Sequence, residues 1–317
     1  MATYRNNLPQ LSQRLFLSDG GIETTLIFHD HFDLPYFAAF DLLNRDGGAD
    51  ALQAYFERYA RLAVEAGAGF ILESPTWRAS KDWADKLGYS DEALADANRR
   101  AIALVQQVRD RLQTPSSPMV ISGCIGPRGD GYRPDGMMSV AAAEDYHAVQ
   151  IGVFAGTEAD MITAITMTYP EEATGLARAA KAAGMPVALS FTVETDGTLP
   201  SGHSIGEAIG IVEDQTGGAP AYYMLNCAHP THFRHALETG EGWTAKLRGL
   251  RANASTRSHA ELDEATDLDD GDPADLARRY ADLRTLLPQL NVLGGCCGTD
   301  HRHVEQIGLA CRAALAA

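Results

Sequence analysis

Eight short apolar segments alternate with longer amphipathic segments along the 317 residues, and this alternation constrains the fold most. The apolar segments have the length of buried strands, and the longer segments repeat apolar residues at helical spacing. The predicted strands are residues 14–18, 69–73, 118–122, 160–165, 187–193, 221–226, 247–252 and 289–293. The clearest predicted helices are residues 50–66, 91–112, 143–156, 171–183, 205–216, 275–287 and 303–316. The alternation predicts an α/β fold, a single (β/α)8 TIM barrel of parallel strands.

An open, doubly wound sheet is the alternative for such an alternation. Its glycine-rich phosphate-binding fingerprint is absent after the first predicted strand. No linker rich in Pro, Gly or Ser divides the chain, and the acidic run at residues 261–272 is expected to be a surface loop. We therefore expect one barrel domain over residues 1–317, with its active site at the carboxyl ends of the strands.

The net charge, the apolar segments and the cysteine content indicate the cellular location and the kinds of partner to expect. A net charge of -16 disfavours a nucleic-acid partner, which would need a basic face. No apolar stretch approaches the roughly 18 residues that a membrane span needs, and the first ten residues lack the apolar core of a signal peptide. Five cysteines, an odd number, do not suit a secreted disulfide framework. We expect a cytoplasmic protein without membrane or nucleic-acid partners, and homo-oligomerisation stays open.

Two adjacent cysteines close the last predicted strand, in the Gly-Gly-Cys-Cys-Gly run at residues 294–298. Cys296 and Cys297 are poor disulfide partners for each other but good ligands for one soft metal ion. Cys227 ends the sixth predicted strand, so a closed barrel can bring it beside the pair. Three thiolates around Zn²⁺ leave a fourth position open, as in catalytic zinc sites. A substrate thiol in that position would lose its proton and stay nucleophilic.

Several strand-end motifs together carry a resemblance to a known family. They are Asp19-Gly20-Gly21, the Gly-Cys-Ile-Gly-Pro run at 123–127, Asn226-Cys227 and the Gly-Gly-Cys-Cys-Gly run. With these motifs the chain resembles the homocysteine S-methyltransferase family, which includes betaine- and S-methylmethionine-dependent enzymes and a domain of cobalamin-dependent methionine synthase. The resemblance covers nearly the whole chain. It implies a (β/α)8 barrel with zinc on Cys227, Cys296 and Cys297, and methyl transfer from an onium-type or folate donor to a thiol.

The resemblance also implies substrate-binding residues. Asp19, with Gly20 and Gly21, matches the place where the family holds the amino-acid part of the acceptor, although Asp-Gly is also a common turn pair. Asn226 precedes the first zinc cysteine and is expected to shape the site from behind the ligands. Trp77 falls where betaine-type enzymes place an aromatic residue near the donor. A tryptophan face attracts an onium cation, and the alternative role for Trp77 is core packing.

The fourth predicted strand departs from the family pattern. The family usually has a glutamate there for the amino group of the acceptor, whereas this chain has Ile165, or Thr166, at that place. Because isoleucine cannot pair with an ammonium group, Glu194 at the end of the fifth strand is the candidate substitute. The expected acceptor is homocysteine, giving methionine, but this departure leaves its identity open. The donor also stays open among S-methylmethionine, S-adenosylmethionine and betaine types.

Two other functions fit the same residues. A zinc hydrolase or lyase would use zinc-bound water as its nucleophile, but three thiolates weaken the acidity of such a water and no general-base pair is evident. A non-catalytic protein that binds methylated onium compounds is the second alternative. Binding of a donor without methyl transfer to any thiol would favour it.

Overall fold

The computed structural model describes residues 2–265 and 267–313, and it confirms the predicted (β/α)8 barrel. Eight parallel strands close in sequence order, and β8 pairs back onto β1. The strands are β1 Phe16–Leu17, β2 Gly69–Glu73, β3 Met119–Ile125, β4 Met161–Met167, β5 Val187–Phe191, β6 Tyr222–Asn226, β7 Leu247–Ala252 and β8 Val292–Gly295. The outer helices, one after each strand, are Gly48–Ala66, Asp91–Leu112, Val140–Ala155, Pro170–Ala182, Ile205–Thr216, Pro230–Leu237, Pro273–Leu286 and His301–Ala313.

Local sequence signals set the ends of these helices. Ser90 accepts a hydrogen bond from the backbone N–H of Ala93 and so caps the helix Asp91–Leu112. The helix Gly48–Ala66 ends at Gly67, whose φ of 64° is easily reached only without a side chain. One short helix, Pro9–Leu11, precedes β1, and others lie in the connections, at Ile22–Thr24, Thr25–His29, Pro35–Phe37, Ala39–Asn44, Lys81–Lys86, Gly242–Lys246 and His259–Asp263.

The barrel interior is filled at its amino-terminal end. A separate apolar cluster there takes residues from most of the strands, including Phe16, Ile71, Val120, Met161, Met224 and Val292. The larger core packs the outer faces of the strands against the helices. Because the lower interior is closed by side chains, the carboxyl-terminal rim is the open end of the ring. None of the described helices is long and apolar enough to cross a membrane.

Most predicted strands differ from the observed ones by a few residues at one or both ends, and in two of them the cause is a packing role of their glycines. The third strand was expected to end at residue 122, but β3 continues to Ile125. A Cβ on Gly123 would lie 2.6 Å from the ring of Phe154, so glycine allows a helix to approach the strand. Gly294 and Gly295 belong to β8 itself, where added Cβ atoms would overlap Ser18 and Thr299. The predicted end of the last helix, residues 314–316, lies outside the described residues, as does residue 266 of the acidic run.

Candidate active site

Three cysteine sulfurs meet at the carboxyl ends of β6 and β8, as the sequence predicted. The sulfurs of Cys227, Cys296 and Cys297 all lie within 4.8 Å of one another. Cys227 and Cys296 form a disulfide, whereas Cys297 is a free thiol. The expectation of three free thiols is therefore not met in this structure, because ring closure places two of them within bonding distance.

The spacing of the sulfurs suits a zinc ion. The sulfurs of Cys227 and Cys297 are 3.9 Å apart. Two thiolates of a tetrahedral zinc site, with Zn–S bonds of about 2.3 Å, lie about 3.8 Å apart. After reduction of the disulfide, the sulfurs of Cys227 and Cys296 would have to move apart to a similar spacing. Three soft sulfur donors with this spacing fit zinc, and the described residues offer no second group of potential metal ligands.

The backbone of Cys227 is held in an uncommon conformation, with a φ of 53°. Its carbonyl oxygen accepts a hydrogen bond from the amide of Asn253 at 3.1 Å and lies 2.5 Å from Nε2 of His259. Its N–H donates to the carbonyl of Arg251 on β7. A non-glycine residue in the left-handed region persists only when its surroundings fix it. These contacts fix the direction in which the Cys227 thiol points.

The Cys296–Cys297 turn is fixed to the end of β7 in the same way. Cys296 donates its N–H to the carbonyl of Ala252, and the carbonyl of Cys297 accepts from Ala254. The backbone reverses at Gly298, where φ is 78°. The turn therefore depends on Gly298, while Gly294 and Gly295 allow close packing within β8.

Tyr132 covers the sulfur cluster, and the sequence analysis missed it. Its hydroxyl lies 3.6 Å from the sulfur of Cys227 and 3.5 Å from that of Cys297. Its ring packs on His259, with centroids 4.2 Å apart. Burial raises the pKa of both Tyr132 and Cys297. Its place in the glycine-rich connection after β3, at the open end of the barrel, was the available signal.

A β-bulge in β4 lies at the place of the missing glutamate. The register between β4 and β5 shifts between Ala164 and Met167, and Thr166 has a φ of 64°. The side-chain oxygen of Asn226 accepts the N–H of Thr166 at 2.8 Å, and its amide donates to the Thr166 hydroxyl at 2.9 Å. The same amide lies 4.0 Å from the sulfur of Cys296. Asn226 therefore links the bulge to the cysteine cluster.

The sequence of this chain matches a known protein family. A profile of the homocysteine S-methyltransferase family matches residues 16–311. The chain belongs to the homocysteine S-methyltransferase family. Methionine synthases of Mycobacterium leprae and Mycobacterium tuberculosis are 26% and 28% identical to it over 324 aligned positions. Each alignment covers 96% of this chain and 25% of the relative, so the chain spans about a quarter of the length of these relatives.

Two solved structures of the homocysteine methyltransferase MmuM from Escherichia coli resemble the barrel. The oxidised form has a TM-score of 0.77 and 18% identity, covering 97% of this chain and 99% of that chain. The metallated form has a TM-score of 0.74 and 17% identity, covering 96% and 98%. At these identities the likeness supports the fold. Family membership confirms the predicted enzyme class, a methyltransferase.

In this homocysteine S-methyltransferase family member, Asp19 belongs to a buried charge network. Its carboxylate lies 2.7 Å from the guanidinium of Arg251 and accepts a hydrogen bond from Tyr55 at 2.9 Å. The carboxyl of Glu73 is 3.8 Å from Arg251. Burial raises the pKa of Asp19, and Arg251 partly offsets that effect. Burial likewise raises the pKa of Glu73 to about 7. The Asp19 carboxylate thus already has a cationic partner within the chain.

The other predicted substrate residues lie around the same rim. A Cβ on Gly21 would lie 2.6 Å from the carbonyl oxygen of Cys296, and one on Gly20 would lie 2.8 Å from the hydroxyl of Tyr59. Glu194 has a side chain 37% exposed, with a carboxyl oxygen 3.4 Å from His259. Since His259 contacts the carbonyl of Cys227, Glu194 is linked to the cluster through one residue. A role for these residues in substrate binding stays a prediction.

Trp77 faces a cation that belongs to the chain. The guanidinium carbon of Arg78 lies 3.9 Å from the centroid of the Trp77 ring and 3.8 Å from that of Trp83. Lys86 lies over another part of Trp83, with its amine 3.8 Å from the ring centroid. An onium donor seated on Trp77, as predicted, would compete with Arg78 for the aromatic face.

Glu23, which the sequence analysis also missed, adds a carboxyl group beside the cysteine turn. It lies two residues after Gly21, and the next residue, Thr24, accepts a hydrogen bond from the N–H of Gly298 at 3.0 Å. Burial raises the pKa of Glu23 to about 7, and the nearby charge of Arg78 is among the effects that lower it. Glu23 forms no ion pair among the residues that the structure describes.

Proposed function

We propose that the chain transfers a methyl group from a sulfonium or ammonium donor to a thiol, with homocysteine as the acceptor and methionine as the product. The observation that carries the proposal is the meeting of three cysteine sulfurs at the open end of a barrel of this family. The donor would be of the S-methylmethionine, S-adenosylmethionine or betaine type.

Cys227, Cys296 and Cys297 would hold one Zn²⁺ after reduction of the disulfide. When bound, zinc lowers the pKa of a substrate thiol, so that the sulfur is nucleophilic at neutral pH. In the transfer, the acceptor sulfur forms a bond to the methyl carbon while the bond from that carbon to the donor heteroatom breaks. The bonding electron pair leaves with the donor, and the thiol proton passes to solvent. The reaction needs orientation more than acid or base groups.

The side chains of this chain would supply that orientation. Asn226 and the bulge at Thr166 keep the wall of the site beside Cys296 in place. Asp19, Gly20 and Gly21 are proposed substrate contacts, and the two glycines let the chain pack closely against Tyr59 and the carbonyl of Cys296. Glu194 and Trp77 are proposed substrate contacts at the rim.

The proposed cellular location and domain organisation follow from the need for three free thiols. A reducing compartment such as the cytoplasm would keep the three thiols available for metal, which supports that location. Since the ligands come from strands of one ring, we propose that residues 1–317 act as a single domain. Association into homo-oligomers stays a prediction.

Zinc content and methyl transfer test the proposal together. Reduced wild-type protein should bind one zinc per chain and methylate homocysteine with at least one donor of a panel. Cys296→Ala should lose both zinc and transfer, whereas Cys311→Ala, in the helix His301–Ala313, should keep both. Full activity of zinc-free protein would refute the metal's role. Donor binding without transfer to any thiol would favour a non-catalytic function.

A further inference from the structure

Arg78 is a buried cation without an acidic partner. The residue is 5% exposed, and both faces of its guanidinium are covered by tryptophan rings. One terminal nitrogen donates to the carbonyl of Gly129 at 2.9 Å, while the buried Nε has no hydrogen-bond partner. No described carboxylate forms an ion pair with it. Only the edge of the guanidinium is left for a ligand, and that edge suits a carboxylate.

Glu23 is a carboxyl group without a cationic partner among the described residues, and it precedes Thr24, which contacts the cysteine turn. Residues close to it in sequence contact that turn, since a Cβ on Gly21 would lie 2.6 Å from the carbonyl of Cys296 and Thr24 accepts the N–H of Gly298. Burial lowers the pKa of Arg78, which the negative charge of Glu23 partly offsets, and the same charge adds to the burial that raises the pKa of Cys297. Asp19 is the other acid near the turn, but it is already paired with Arg251 at 2.7 Å. Ile165 is apolar and cannot take an ammonium group.

We propose that Glu23 and Arg78 form a binding site for the zwitterionic end of an α-amino acid, Glu23 taking the ammonium group and Arg78 the carboxylate. The inference deepens the proposed methyl transfer and rests on it. The same zwitterion occurs in a thiol amino acid and in an amino-acid sulfonium donor. The place of Glu23 beside the cysteine turn favours the acceptor.

The tryptophans then have a different role from the one that their aromatic faces first indicated. Trp77 and Trp83 hold the guanidinium flat and keep water from its faces, so that its edge is presented in one orientation. A charge on each side of the site would select a substrate with two charges over one that lacks either. Selectivity, rather than total affinity, is therefore the property to measure.

Titration calorimetry of reduced, zinc-loaded protein tests the inference without turnover. The ligands are homocysteine, its analogue without the amino group (4-mercaptobutanoate) and its analogue without the carboxylate (3-mercaptopropylamine). Glu23→Gln should weaken homocysteine about tenfold or more, since bonds to charged groups have that worth, and leave 4-mercaptobutanoate unchanged. Arg78→Met should weaken homocysteine similarly and leave 3-mercaptopropylamine unchanged. Glu65→Gln, at an exposed site on the helix Gly48–Ala66, is the matched control.

A second arm with S-methylmethionine separates the two sources of the zwitterion. Weaker binding of homocysteine alone assigns the site to the acceptor, and weaker binding of S-methylmethionine alone assigns it to the donor. Unchanged binding of both in Glu23→Gln overturns the inference, even if methyl transfer itself is intact. If Arg78→Met does not fold, binding of the same ligands to Arg78→Lys and to Glu23→Gln still tests the inference. A different outcome would separate the two proposals. If the variants lose selectivity for the charged groups of homocysteine but the wild type methylates no thiol, the binding site is upheld and the proposed function is refuted.

Discussion

Replacing Glu73 by glutamine should change how stability depends on pH. Its side chain is buried, 3.8 Å from Arg251, and burial raises its pKa from the usual 4.5 to about 7. The folded chain therefore holds this proton over a pH range in which the unfolded chain has lost it. Stability from this group is present below pH 4.5 and is lost as pH rises through 7. A difference of about 2.5 between the folded and unfolded pKa values corresponds to about 3.4 kcal/mol at most.

The assay is urea unfolding of reduced protein at about pH 5 and about pH 8, where linkage predicts most of the change. As pH rises from about 5 to about 8, the free energy of unfolding should fall in the wild type by about 2–3 kcal/mol more than it falls in Glu73→Gln. Glu65→Gln, exposed on the helix Gly48–Ala66, should follow the wild type at both values. Equal pH dependence in the wild type and Glu73→Gln would show that this carboxyl is ionised in the folded barrel, contrary to the burial argument.

Two further substitutions test how the cysteine cluster is held in place. Asn226→Ala leaves the N–H of Thr166 without its partner, so the free energy of unfolding, measured in urea, should fall by about 1–3 kcal/mol. An unchanged value would mean that the bulge is held by other contacts. Gly21→Ala places a Cβ 2.6 Å from the carbonyl of Cys296, and zinc affinity in chelator competition should fall. Gly152→Ala, which meets no atom within 4 Å, should keep wild-type affinity, and equal affinities in both variants would refute the steric argument.

The strand pattern and the cysteine positions could be predicted because each depends on local sequence. Apolar runs bounded by turn residues locate strands to within a few residues, and β2 and β7 agree with their predicted bounds. Once the strands form a ring, strand ends that are distant in sequence become neighbours. The meeting of Cys227 with Cys296 therefore follows from topology alone.

Contacts between elements could not be predicted in the same way. The glycines of β8 resembled a turn, because sequence does not show that Ser18 and Thr299 would occupy the space of their side chains. The cation over Trp77 is its own neighbour in sequence, Arg78, yet only rotamers and packing place it between two rings. Glu23 has no periodic pattern to mark it, since it lies in a helix of three residues.

The division of the cysteine ligands between β6 and β8 has a consequence for biosynthesis. Residues are made from the amino terminus, so Cys227 is translated 69 residues before Cys296. Until β8 has emerged and inserted between β7 and β1, the nascent chain offers one thiol of the three. The complete cluster can thus assemble only on a finished ring. A truncated translation product that stops before β8 would lack Cys296 and Cys297 and could not hold a metal through this cluster.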